Sequence, residues 1–145
     1  MKIALGSDHG GFELKEGIKA FLSSRGYDVV DVGTNSSDSC HYPEFALKCA
    51  NLVKDGECQF GVIVCTTGEG IAMVANKVSG IRAGIGYNDE VAQLMREHND
   101  ANIITFGAKY TTLDDALRRI LIFLNAEFQG GRHAKRVEMI KKLDK

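Results

Sequence analysis

Short apolar runs alternate along the chain with stretches in which apolar residues recur every three or four positions, a pattern that predicts buried strands separated by amphipathic helices. Lys2–Ser7 reads as a buried strand, after which Leu14, Ile18, Phe21 and Leu22 recur at helical spacing until Arg25-Gly26, where glycine suits a helix C-terminus. Tyr27–Val32 predicts the second strand. Beyond a polar loop, Pro43 sits where a first helical turn tolerates it, and Phe45, Ala46, Cys49, Ala50 and Val53 make the next apolar face. Phe60–Cys65 is strand three, and Thr66-Thr67-Gly68-Glu69-Gly70 turns the chain into a short helix from Ile71 to Lys77. Ile81–Gly86 is strand four, weakened by its glycines. Asn88 caps a helix carrying Val91, Leu94 and Met95, and Asn102–Gly107 is strand five. Thr112 caps a helix bearing Leu113, Leu117, Ile120, Leu121 and Leu124, and Gly130-Gly131 separates it from a basic amphipathic tail helix starting at about residue 132.

Five strands, each followed by a helix, require parallel pairing with right-handed crossovers and helices on both faces, so the expected architecture is a three-layer α/β/α sandwich. No linker, repeat or low-complexity tract interrupts it, and residues 1–145 form one domain. With 44% hydrophobic residues a chain of 145 can bury a full core without staples. Eighteen basic against nineteen acidic residues leave no positive excess for a nucleic acid or an anionic membrane surface. No apolar run approaches the roughly 20 residues that span a bilayer, and Met1-Lys2-Ile3 leads straight into a strand without a signal-peptide core, so a cytoplasmic protein is expected. Cys40, Cys49, Cys58 and Cys65 form no C-x-x-C pair and have no histidine at zinc-finger spacing, which predicts reduced thiols and no structural metal.

Ligands of open parallel sheets bind at the carboxyl ends of the strands. Strand one ends in Ser7-Asp8-His9-Gly10-Gly11, an acid and an imidazole beside glycines that let a ligand approach the backbone; the plainer reading is a helix-capping aspartate with an incidental histidine. Strand three ends in Cys65, and the loop after it supplies successive N–H groups at a helix start, which suits an anion and favours a thiolate. Such a cysteine can act as nucleophile or general base, unless it is simply a buried residue completing the strand. Familiar phosphate motifs fail here: no lysine follows the glycines as in a P-loop, Gly68-Glu69-Gly70 lacks the third glycine of a dinucleotide fingerprint, and the position of a phosphatase arginine is Ile71. His98, in Glu97-His98-Asn99-Asp100, precedes strand five and so lies at the opposite end of the sheet from Cys65. Either it interacts with a helix dipole or it serves the site of a second subunit. Arg132 and Arg136 share a helix face at i, i+4, as a phosphate clamp or as a solvated basic face.

Taken together, Gly6-Ser7-Asp8-His9-Gly10-Gly11, Tyr42-Pro43, Cys65 with Thr67-Gly68-x-Gly70, Ala75-Asn76-Lys77, Gly80-Ile81-Arg82-Ala83, His98-Asn99-Asp100-Ala101-Asn102 and Gly130-Gly131-Arg132-His133 resemble the ribose-5-phosphate isomerase B family, from Lys2 to about Lys142. That family also takes in allose-6-phosphate and galactose-6-phosphate isomerases, and Cys65 favours the ribose-5-phosphate branch. The resemblance implies a Rossmann-like sheet in the order 2-1-3-5-4 and aldose–ketose isomerisation of ribose 5-phosphate and ribulose 5-phosphate through a cis-enediolate, without metal or organic cofactor. By the same resemblance Cys65 is the base, Thr67 and the amides from Thr66 through Gly68 and Glu69 to Gly70 hold the enediolate, and His98 of a neighbouring subunit helps open the furanose ring. Asp8 and Tyr42 lie close to the sugar hydroxyls, and His9, Arg132 and Arg136 hold the phosphate with Asn99 nearby. It also implies a homodimer with a shared site, able to pair into a tetramer.

Three positions depart from the family pattern. Thr66 replaces a glycine and would narrow the pocket; Glu69 replaces an apolar residue and is expected to point outward; Lys109 replaces an arginine, turning a bidentate contact with substrate or phosphate into a single-point one. These leave an isomerase of a six-carbon or four-carbon aldose phosphate as the alternative substrate reading. A non-catalytic phosphosugar-binding module is the rival of a different class. Such a module has no need of a base and a ring-opening histidine, and Asp8, Cys65, Thr67 and His98 together argue against it.

Overall fold

Ile3, Ala4 and Leu5 of β1 (Lys2–Ser7) have no exposed surface, as befits a strand covered on both faces. The computed structural model describes residues 1–145 and pairs this strand in parallel with β2 (Asp28–Asp31) and β3 (Phe60–Cys65). Beyond β3 lie β5 (Ile103–Gly107) and then β4 (Ala83–Ile85), so all five strands are parallel in the order 2-1-3-5-4. That is the three-layer sheet expected from the alternation of apolar runs.

Alternating residues of each strand feed two cores. Leu5, Val62, Val64, Ile104 and Phe106 pack with Ile18 and Leu22 of α1 (Phe12–Ser24), Ala92 and Met95 of α4 (Asp89–Glu97) and Ile120 and Phe123 of α5 (Leu113–Asn125). Ala4, Ile63, Cys65 and Ile103 pack with Ala46, Cys49 and Ala50 of α2 (Tyr42–Lys54) and Ile71 and Ala75 of α3 (Glu69–Ala75). A last helix, α6 (Arg132–Lys141), buries only His133 and Val137. No helix is long and apolar enough to cross a membrane.

The boundaries shift from the sequence expectation where side chains intervene. The third helix starts and ends two residues early. Gly68, at φ +80°, turns the chain into it, and at its end the Asn76 carboxamide bonds both the N–H and the carbonyl of Ala83, at 2.8 and 3.0 Å. Between β1 and α1 a short 3₁₀ turn spans His9–Gly11.

Lys15 is fully buried, an unusual place for a lysine, and its Nζ lies 2.7 Å from Asp31 at the end of β2. Asp31 also accepts from Lys19 at 3.1 Å and from the Gly33 N–H at 2.9 Å. Burial pushes its carboxyl up, but the bonds from Lys15, Gly33 and Lys19 outweigh this and hold it below the ordinary aspartate range. Asp31→Ala leaves the buried Lys15 charge with only the long 3.5 Å contact to Glu16, and urea titration is expected to show a loss of about 3 kcal/mol. Because the native carboxyl is depressed, its contribution is complete above the unfolded value near pH 4 and drains away as the pH falls through the native one.

Candidate active site

The carboxyl ends of β1 and β3 sit side by side, and the loop after β5 braces them. The Asp8 N–H reaches the Val64 carbonyl at 3.3 Å, and its nearly buried carboxylate caps the 3₁₀ turn by accepting from the Gly11 N–H at 3.1 Å. The aspartate is thus both cap and site residue. His9 is exposed, and its Nδ1 accepts from the Cys40 N–H at 3.2 Å.

Cys65 closes β3 with 6% of its surface exposed, and its Sγ accepts from the Gly68 N–H at 3.1 Å. That geometry needs Gly68: a Cβ there would lie 2.9 Å from the Gly107 nitrogen at a positive φ. The loop is tied to the end of β5 by the Ala108 N–H on the Cys65 carbonyl at 2.8 Å, the Lys109 N–H on the Thr66 carbonyl at 3.1 Å and the Thr105 hydroxyl on the Gly68 carbonyl at 3.0 Å. Thr67 is exposed, its hydroxyl accepting from the Glu69 N–H at 3.2 Å. Burial pushes the Cys49 and Cys58 thiols up and keeps them protonated in the core. Cys65 alone among the cysteines receives a loop amide on its sulfur.

Tyr42 opens α2 beside Pro43, and its ring lies so close over Gly70 that a Cβ there would fall 2.6 Å from it. Thr66 is exposed and its hydroxyl covers Gly10, which leaves no room for a side chain. Glu69 stands exposed in the first turn of α3 and joins no ion pair. Lys109 is exposed too; with Gly10, Glu13 and Thr66 it lines a groove of about 480 Å³ beside the cysteine loop.

The remaining candidates lie elsewhere. His98 caps the C-terminus of α4 ahead of β5, so about 15 Å of parallel strand separates its end of the sheet from Cys65. There its ring stacks on His133 of α6, centroids 4.1 Å apart and planes 11° from parallel. Together with Asn99 and Arg136 they line a groove of about 350 Å³, and Arg132 stands one turn before Arg136 on the same exposed helix. One chain therefore gathers Asp8, His9, Tyr42, Cys65, Lys109 and the 66–70 loop at one end, and His98, Asn99, Arg132 and Arg136 at the other.

Burial, and then the charges of His98, Arg132 and Arg136, hold the His133 imidazole below the ordinary histidine range. A histidine depressed in the native state binds its proton more readily when unfolded, so acid draws the equilibrium toward unfolding. The urea midpoint is expected to fall as the pH drops from about 7.5 to 5.5, and to fall less in a His133→Gln protein. The stack was not legible in the sequence, although the position of His133 on the inward face of a short tail helix was the available signal. Equally hidden were the Cys40 N–H on His9 and the Lys15–Asp31 pair, which depend on how loops fold back.

A polar site at the carboxyl ends of an open parallel sheet, with a thiol held by a loop amide beside an acid and an imidazole, defines an α/β enzyme acting on a small polar molecule. The chain belongs to the Ribose/Galactose Isomerase family, whose model matches residues 3–140. It is 45% identical to Escherichia coli ribose-5-phosphate isomerase B over 139 residues, covering 96% of this chain and 93% of that one. Ribose-5-phosphate isomerase B from Clostridium thermocellum superimposes with a TM-score of 0.97 at 52% identity, over 99% and 97% of the two chains. The Mycoplasma genitalium enzyme with bound ribulose 5-phosphate gives 0.93 at 36% identity, over 97% and 94%.

Proposed function

We propose that this protein is an aldose–ketose isomerase interconverting D-ribose 5-phosphate and D-ribulose 5-phosphate through a cis-enediolate. The observation that carries the reading is the Cys65 sulfur at the end of β3, 3.1 Å from the Gly68 N–H of the loop that follows it. Family membership supplies the substrate class.

His98 of a neighbouring subunit moves the proton that opens the furanose ring. The Cys65 thiolate then takes the C2 proton of the open aldose; the electron pair shifts into a C1–C2 double bond and negative charge builds on oxygen. Thr67 and the amides of residues 66–70 stabilise that charge where it forms. The proton of the C2 hydroxyl passes to the C1 oxygen that carries the charge, and return of the proton from the thiol to C1 as the C2 carbonyl forms gives the ketose and restores the thiolate. Asp8 and Tyr42 meet the sugar hydroxyls. His9 and Lys109 from one subunit and Arg132 and Arg136 from the other hold the phosphate beside Asn99, contributing binding energy for orientation.

This division makes a homodimer the functional unit, since the two groups of residues occupy opposite ends of each chain; two such dimers can form a tetramer. The enzyme acts in the cytoplasm on a free sugar phosphate and uses no metal or organic cofactor. The names of its relatives favour the five-carbon sugar. Catalytic efficiency on ribose 5-phosphate is expected to exceed that on allose 6-phosphate; the reverse order would reassign the substrate.

A further inference from the structure

Asp100 is the single residue other than glycine with a positive φ, at +49°. Glycine adopts this conformation freely, whereas an aspartate there is strained and persists only where its surroundings hold it. It stands two residues beyond His98, where the chain leaves α4 and turns toward β5. The turn closes through the Asp100 N–H on the Arg96 carbonyl at 3.2 Å and the Ala101 N–H on the Met95 carbonyl at 2.9 Å.

Two arginines hold the residue from opposite sides. Arg96 donates through NH1 to the carboxylate at 2.9 Å and to the Ala101 carbonyl at 2.8 Å. Arg82 donates through NH2 to the other carboxylate oxygen at 3.3 Å and through Nε to the Asp100 carbonyl at 2.9 Å. Arg96 lies buried against the packed pair Phe60 and Phe123, its guanidinium carbon 4.8 and 5.8 Å from the ring centroids and its Nε without a partner. A guanidinium is poorly placed there unless its charge is used, and its one ion-pair partner is Asp100. Arg82 is fixed in turn by its own N–H on the Asn102 side chain at 2.9 Å. The Gly80–Ala83 and His98–Asn102 motifs thus form one rigid unit, and none of these groups belongs to the Cys65 half of the site.

We infer that Asp100, clamped by Arg82 and Arg96, is a positioning residue: it sets the helix end from which His98 and Asn99 face the neighbouring subunit's sugar. The inference rests on the reading of His98 as the ring-opening group. A role confined to stability would affect every activity alike. Positioning of His98 predicts a selective loss, because ribulose 5-phosphate is an open chain and needs no ring opening.

Two assays make the distinction: conversion of ribose 5-phosphate to ketose, and exchange of the C1 hydrogen of ribulose 5-phosphate with D₂O, which needs the Cys65 thiolate but no ring opening. Asp100→Asn tolerates the left-handed backbone but loses the charge, and Asp100→Gly keeps the backbone without the carboxylate. His98→Ala is the reference. Both Asp100 variants are expected to lose about tenfold or more in the first assay while the second changes by less than about twofold, following His98→Ala. Equal losses in both assays, or parent-like conversion by either variant, would overturn the assignment. If His98→Ala itself fails to separate the assays, the ring-opening role of His98 is wrong and the positioning role falls with it.

Discussion

Cys65→Ala protein is expected to isomerise ribose 5-phosphate about 10² to 10⁴ times more slowly than the parent, the range set by loss of a positioned general base. The variant keeps its loop. Thr105 still bonds the Gly68 carbonyl, and the backbone bonds from Ala108 and Lys109 to residues 65 and 66 do not involve the sulfur. Removing one nearly buried sulfur from the α2–α3 face leaves a small cavity worth about 1 kcal/mol, too little to unfold a domain of this size. The groups assigned to the phosphate remain, so thermal stabilisation by the sugar phosphate survives while turnover disappears. Ketose formation and a ligand-dependent melting shift, measured on the same preparation, check both halves. Loss of binding along with turnover would make Cys65 a packing residue of the loop, and retained turnover would remove it from the chemistry.

Mixing this variant with His98→Ala chains is expected to restore activity that neither has alone. After subunits exchange at random, half the dimers are mixed, and each mixed dimer carries one site with both Cys65 and His98 intact and one with neither. Recovery should therefore approach about a quarter of the parent activity. The placement of His98 ahead of β5 and Cys65 at the end of β3 is what makes this outcome follow. An enzyme whose sites lay within single chains would show no gain on mixing.

Much of this arrangement is legible in the sequence, because it depends on local signals. Unbroken apolar runs such as Phe60–Cys65 can only be strands covered on both faces, and the spacing of Leu117, Ile120, Leu121 and Leu124 defines a helix face. The parallel strands then place Cys65 and His98 at opposite ends by topology alone. What stayed hidden depends on tertiary closure. Nothing near Lys15 in the chain announces that it will be buried against Asp31, or that Arg96 will lie against two phenylalanine rings. Asp100 reads as an ordinary polar residue at a helix end, and its left-handed backbone becomes meaningful only once Arg82 arrives from the β4 side.

The central claim is that this chain moves a proton between C2 and C1 of ribose 5-phosphate by means of its own side chains. The most direct test incubates the parent protein with ribose 5-phosphate in D₂O containing excess chelator and follows the product by NMR. The account predicts ribulose 5-phosphate at a rate untouched by the chelator, with solvent deuterium at C1. Absence of the ketose, or a rate that collapses with the chelator, would contradict it.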